Sequence, residues 1–290
     1  MVKALTPEAD STATSVVGPL RDSFLRHLAA ENRSRSTQVT YAAAIDLLTA
    51  FAAASGMPDL TELRREHVEA FLVELRDKGQ RPATLANRYR SLQQFYKWLL
   101  EEGEIKSSPM ANMRPPHVPE EPPDVLQPEQ LQALLATCDG TNFEDRRDTA
   151  LLRLFLDTGI RLAETAGLRV ADLAFEHNVA LVVGKGSRPR AVPFGRRTAK
   201  SLDRYLRARA HHPETASEWL WLGKQGRLTA TGVGQVVKRR GQQAGLKLHP
   251  HLFRHTFAHS MLADGMQEGD LMRLAGWRSR QMLARYGARP

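Results

Sequence analysis

The sequence predicts a mainly α protein, in which a four-helix N-terminal domain is followed by a mostly helical second domain with a small antiparallel β-sheet. Three observations carry that expectation. Apolar residues recur at three- and four-residue spacing along most of the chain, the signature of helices with one buried face. A proline-dense stretch interrupts this spacing once. Two short apolar runs around a glycine-rich, basic tip leave the helical period and read as a β-hairpin. At 290 residues the chain exceeds the usual size of one core, so two domains are expected, each burying its own apolar interior.

In the first domain, Val16, Leu20, Phe24 and Leu28 fall four apart and share one helix face. The polar break Asn32-Arg-Ser-Arg-Ser36 offers serine caps for a second helix, which carries Tyr41, Ile45, Leu48 and Phe51 and stops at Gly56. Pro58 marks the following turn. A third helix spans Arg65 to Lys78, with Val68, Phe71, Leu72 and Leu75 inward and Gly79 past its end. Pro82 opens a fourth, which contains Leu85, Tyr89, Leu92, Tyr96 and Leu99 and is closed by Gly103. The domain is placed at residues 16–108. Packing does not explain the basic residues at helix starts and outer faces, Arg33, Arg35, Arg81, Arg88 and Arg90; each is either a solvated charge or a contact to a polyanion.

Between Pro109 and Pro128 the proline density forbids helix interiors, and residues 109–128 are assigned to an extended, semi-stiff linker. Helical pattern then resumes, and the second domain is placed at 129–290. Helices are expected over Glu129 to Ala136, Asp145 to Thr158 with a stop at Gly159, Thr198 to Ala210, and Thr231 to Ala244. The hairpin pairs Val179 to Val183 with Ala191 to Phe194 across Gly184-Lys-Gly-Ser-Arg-Pro-Arg190. The last forty residues form short helical segments bearing His251, Arg254, Trp277 and Tyr286.

A formal net charge of +9 favours a polyanionic partner, because it concentrates phosphate and speeds encounter. The single Cys138 cannot form an intramolecular disulfide, so a reducing cytoplasm fits. Residues 1–15 lack the apolar core of a secretion signal, and no run of about 18 apolar residues follows; the protein is expected to be neither secreted nor membrane-spanning.

Tyrosine, with a side-chain pKa of about 10, attacks a phosphate usefully only beside cations and a base. Arginines suit the clamp, since a planar guanidinium matches two phosphate oxygens at once. Arg161 follows the helix-stopping Gly159, Arg254 lies one turn beyond His251, and Lys185 sits between two glycines at the hairpin tip. In order and spacing these residues resemble the tyrosine recombinases or phage integrases, including the Xer group. Thr158-Gly-Ile-Arg-Leu-Ala-Glu164 resembles the segment with the family's first catalytic arginine, Gly184-Lys-Gly186 its lysine hairpin, and Pro250-His-Leu-Phe-Arg-His255 its His-x-x-Arg box. Leu274-Ala-Gly-Trp277 resembles the segment with His or Trp, and Tyr286 stands at the nucleophile's distance beyond it. The resemblance covers nearly the whole chain, with the four-helix domain in the place of the core-binding, DNA-clamping domain and the second domain in the place of the catalytic one.

The resemblance implies a site-specific recombinase that cleaves and rejoins DNA through a 3′-phosphotyrosyl intermediate, for integration, excision or resolution. It makes Tyr286 the nucleophile and Arg161 and Arg254 the clamp on the non-bridging oxygens. It gives proton removal to His251 and proton delivery to Lys185, makes Trp277 a brace on the phosphate, and makes Glu164 a supporting acid. Arg188 and Arg190, beside the lysine, join Arg33, Arg35, Arg81, Arg88 and Arg90 as expected DNA contacts. No metal and no other cofactor is expected, the partner is double-stranded DNA, and the location is cytoplasmic, at the nucleoid. A non-catalytic DNA-binding protein of the same fold is the alternative, although a binder has no use for an attacking phenol. His251, His255 and His259 could line up metal ligands, but no acidic residue completes such a motif among them; Gly184-Lys-Gly-Ser187 lacks the earlier glycine of a phosphate loop, since Val179 stands there. Family members usually continue past the tyrosine with a segment that docks on a neighbouring subunit, whereas only Gly287 to Pro290 follow here. A tetrameric synapse is therefore expected in altered or weakened form, from a monomer that assembles on DNA.

Overall fold

The structure, a computed structural model, describes residues 17–119, 123–184, 188–277, 280 and 283, without the side chains of Val17 and Arg188. The chain forms two compact units that divide after Pro119.

The first unit consists of α1 (Val17–Ala30), α2 (Arg35–Ala54), α3 (Arg65–Asp77) and α4 (Pro82–Glu101). Two of them begin where the sequence offers a start. Ser34 accepts the Thr37 N–H at 3.2 Å to cap α2, and Pro82 occupies the first turn of α4, where its missing N–H costs nothing. Buried positions 85, 89, 92, 96 and 99 run down one side of α4, as the apolar spacing requires. Against them pack Phe24, Ile45, Leu48 and Phe71, with the Phe24 and Phe95 rings edge-on at 5.3 Å.

The proline-dense stretch is docked at both ends rather than extended throughout. Met110 is buried in the first core, and the Tyr89 hydroxyl donates to the Met113 carbonyl at 2.7 Å. Leu126 is buried in the second core, and its N–H donates to Thr256 Oγ1 at 2.9 Å. The prolines forbid helix, but they do not prevent the apolar residues among them from being buried.

The second unit begins with α5 (Pro128–Ala136), α6 (Phe143–Thr158) and α7 (Leu162–Ala166). After a short 3₁₀ turn come β1 (Leu173–Ala174), β2 (Val179–Gly184), β3 (Arg188–Pro193) and α8 (Arg196–Arg209). A second hairpin, β4 (Leu222–Gly223) and β5 (Gly226–Arg227), precedes α9 (Ala230–Gln243), α10 (Pro250–Ala263) and α11 (Glu268–Ala275). The main sheet is antiparallel in the order β1-β2-β3, with Val182 opposite Arg190. Its inner face presents Ala180, Val182 and Val192, while Leu181 and Val183 point to solvent, the period-two alternation of a sheet covered on one side.

Helix α6 is the centre of this unit and packs against α8 and α10. Ala150, Leu151, Leu152, Leu154 and Phe155 are fully buried, so it is covered on nearly all sides. Near its start, buried Asp148 accepts from Arg147 at 2.8 Å, Arg239 at 2.7 Å and Arg240 at 2.8 Å; Arg240 also reaches Asp145 at 2.7 Å. These bonds tie α9 to α6. Among the described residues, no helix is long and apolar enough to cross a membrane.

Candidate active site

The site is built where α6 ends. Gly159 caps the helix at φ +55°, and a Cβ there would lie 2.5 Å from the Phe257 ring, so both the turn and the approach of α10 require glycine. Its carbonyl accepts from Arg254 Nη1 at 2.8 Å, which fixes the α10 arginine against the α6 end. Two residues later Arg161 starts α7, where Glu164 accepts both the Arg161 backbone N–H and Nη1 at 2.9 Å. Glu164 is thus a first-turn carboxylate that satisfies an otherwise orphaned helix donor.

Both arginines also bind the end of α11. Arg161 Nη2 donates to the Gly276 carbonyl at 3.1 Å, and Arg254 Nη2 donates to the carbonyl of Ala275. The last carbonyls of a helix lack intrahelical partners and carry partial negative charge, so cations are favoured there. Arg254 is 4% exposed, and its guanidinium lies 5.2 Å from the Trp277 ring centre, whereas the Arg161 side chain is 35% exposed. Trp277 is buried in a cluster with Phe257, Ala258, Leu271 and Ala275.

His251 stands exposed in the first turn of α10, behind Pro250 and the cap residue His249, whose Nδ1 accepts the Leu252 N–H at 3.2 Å. Partial desolvation, then the neighbouring Arg254, His249 and Arg161 side chains, hold its imidazole below the usual histidine value. The ring is therefore neutral at pH 7 and able to accept a proton. Glu164 is pulled in two directions. Burial works to raise its pKa but is outweighed by the hydrogen bonds and charges of Arg190 and Arg161, which leave it at about 2.

Arg190 differs from expectation. It donates to Glu164 through Nη1 at 2.8 Å and Nη2 at 2.7 Å, and to the Leu274 carbonyl through Nε at 3.2 Å, with its side chain 15% exposed. Its side chain is turned inward, onto Glu164 and the end of α11. The reason is strand parity: Arg190 shares the inner face with Val192 and with its cross-strand partner Val182. Of the other expected DNA contacts, Arg35, Arg81 and Arg90 are exposed, Arg33 is exposed and bound to Glu31 at 2.9 Å, and Arg88 is half-buried. Arg161, Glu164, His251, Arg254 and Trp277 belong to the segments that meet at the ends of α6 and α11. Lys185, Tyr286 and the Arg188 side chain lie outside the described residues.

Two guanidinium groups and a neutral imidazole at one junction suit a phosphodiester, whose non-bridging oxygens take the cations while a proton acceptor stands nearby. Residues 124–289 match the phage integrase family. The chain belongs to that family. Residues 22–103 of this integrase match the SAM-like N-terminal domain of phage integrases. Tyrosine recombinase XerC of Bacillus pumilus (strain SAFR-032) is 30% identical over 262 residues, which cover 87% of this chain and 86% of the relative. Among solved structures, the Tn1549 transposon integrase in complex with a circular intermediate DNA shares the fold with a TM-score of 0.77 at 21% identity, covering 95% of this chain and 96% of that one. A lambda integrase dimer bound to a COC′ core site does so with a TM-score of 0.73 at 17% identity, covering 94% and 97%.

Proposed function

We propose that this integrase is a site-specific DNA recombinase of the tyrosine type, which cleaves and rejoins DNA through a covalent 3′-phosphotyrosyl intermediate. The observation that carries the reading is the convergence of Arg161 and Arg254 on the end of α11, with His251 one turn before Arg254. In the proposed reaction Tyr286 Oη attacks phosphorus, its proton passes to His251, and the bond from phosphorus to the 5′ oxygen breaks. Lys185 supplies the proton that this oxygen takes up. Arg161 and Arg254 carry the charge that grows on the non-bridging oxygens, Trp277 braces the phosphate, and Glu164 supports Arg161. Rejoining reverses these steps, with the 5′-hydroxyl of another strand as the attacking group and the phenol leaving. The phosphotyrosyl ester preserves the phosphodiester's bond energy, so no nucleotide is consumed.

The first unit, set off by the 109–128 stretch, serves as the DNA clamp, and Arg33, Arg35, Arg81, Arg88 and Arg90 contact the duplex backbone, with Arg188 adding to them from the second unit. The protein self-associates on DNA into a tetrameric synapse; the dimer of lambda integrase on its core site supports assembly on DNA. It works in the cytoplasm, on the nucleoid. A nicked DNA substrate that traps the intermediate tests the reading. Wild type is expected to form a denaturation-resistant adduct and Tyr286→Phe none; equal absence in both would leave only a DNA-binding protein.

A further inference from the structure

We infer that Arg190 is a positioning residue of the active site, which locks strand β3 to Arg161 and to the end of α11. The inference rests on the recombinase reading and names a residue that acts through others.

Three arginines from three elements donate to three successive carbonyls at the end of α11. Arg190 of β3 takes Leu274, Arg254 of α10 takes Ala275, and Arg161, at the start of α7, takes Gly276. Two of the three are the proposed phosphate clamps, and Arg190 is the third. Its fork is bidentate on Glu164, the same carboxylate that holds both the backbone and the side chain of Arg161. A carboxylate only 5% exposed needs compensation, and a planar fork supplies two parallel bonds where an ammonium supplies one point charge. The junction is also tight: a Cβ at Gly276 would lie 3.4 Å from the Arg190 guanidinium, and Gly276 has φ +63°. Little room is left for the fork to take another orientation.

The consequence is geometric. β2 and β3 flank the segment that bears Lys185, and the Arg190 fork fixes β3 relative to Arg161. Its third bond fixes the end of α11, which leads through Trp277 toward Tyr286 in sequence. Arg190 therefore sets the spacing between strand β3, the proposed clamp Arg161 and the end of α11 without touching the phosphate. A misplacement of about 1 Å at such a site costs on the order of 100-fold in rate.

The test compares wild type, Arg190→Met and Arg190→Lys in the full chain. Three quantities are read: thermal stability, DNA affinity across salt concentrations, and the single-turnover rate of adduct formation on saturating nicked DNA. Arg190→Met is expected to slow adduct formation by about tenfold to 100-fold while DNA affinity and its salt slope stay at wild-type values. Arg190→Lys, which keeps the charge but not the fork, is expected to fold and to react at an intermediate rate. If Arg190→Met does not fold, the slowed rate of folded Arg190→Lys at saturating DNA carries the test. Rates equal to wild type in the folded variants would overturn the inference. So would a salt slope reduced by about one with an unchanged rate at saturation, which marks a direct phosphate contact. Absence of any adduct with wild type would instead remove the recombinase reading and this inference with it.

Discussion

Among the described residues of the second unit, two buried carboxylates are ringed by arginines, one near each end of α6. Asp148 is surrounded by Arg147, Arg239 and Arg240, and Arg240 is further tied to Asp145 and to the Thr137 carbonyl. Glu164 is held by Arg190 and Arg161, and Arg161 keeps a third of its side chain exposed at the junction with α10 and α11. The first ring closes on the α6–α9 contact, where even its exposed arginine, Arg239, is bound to both Asp148 and Glu144, while the second opens onto the junction at which its exposed arginine, Arg161, stands beside Arg254 and His251. The closed ring ties α9 to α6; the open one adjoins the other proposed clamp and the proposed base.

Breaking the closed ring gives the largest expected effect. Asp148→Ala leaves Arg240 buried at the α6–α9 contact without its central partner, and removing one member of a buried ion pair costs about 3–5 kcal/mol. Chemical denaturation is expected to show that loss. In protein that remains folded, adduct formation on saturating DNA is expected to stay near wild type; a selective loss of rate at full stability would erase the distinction between the two rings.

Breaking the open ring is expected to act on chemistry instead. Arg161→Ala removes a charge-assisted donor from the proposed transition state, a loss of about 100- to 1,000-fold in adduct formation. DNA binding is expected to persist, since one phosphate contact is a minor share of the total. A gel shift with no binding at all would make Arg161 a principal anchor and not a catalytic clamp.

The same junction sets a pH dependence. His251 titrates below the ordinary histidine value of about 6.5, and a base works only when unprotonated. The adduct rate is expected to be flat near pH 7 and to fall about tenfold per pH unit once the pH drops below a midpoint lower than about 6.5. Glu164, at about 2, remains ionised across that window and cannot produce the limb. His251→Gln is expected to be slow and to lack the limb; a wild-type midpoint above about 6.5 would oppose the assignment.

Much of this arrangement could be read from the chain, because long helices repeat their apolar spacing often enough to be unmistakable. α2 and α4, at twenty residues each, show it over five turns. α7 has five residues and strands β4 and β5 two each, too short for any period to register in the sequence. Arg161, Glu164, His251 and Arg254 stand in local motifs, but the carbonyls of residues 274–276 that gather the arginines come from a helix more than one hundred residues beyond Arg161. Arg190, expected with the rest of the basic tip to contact DNA, is bound instead to Glu164. Alternation from Val192 places it inward, a signal present in the sequence.

The exposed arginines of the first unit form a third case, in which no buried carboxylate is involved. Arg90 is exposed on α4, and nothing in the first core depends on its head group. Arg90→Ala is therefore expected to leave thermal stability within about 0.5 kcal/mol of wild type. If it meets a phosphate, the slope of log affinity against log salt falls by about one, and the rate at saturating DNA does not change. The opposite pattern, an unaltered slope with a slower saturated rate, would mean that a first-unit cation takes part in chemistry. The ordering from closed ring to open ring to solvent would then no longer predict what each arginine does.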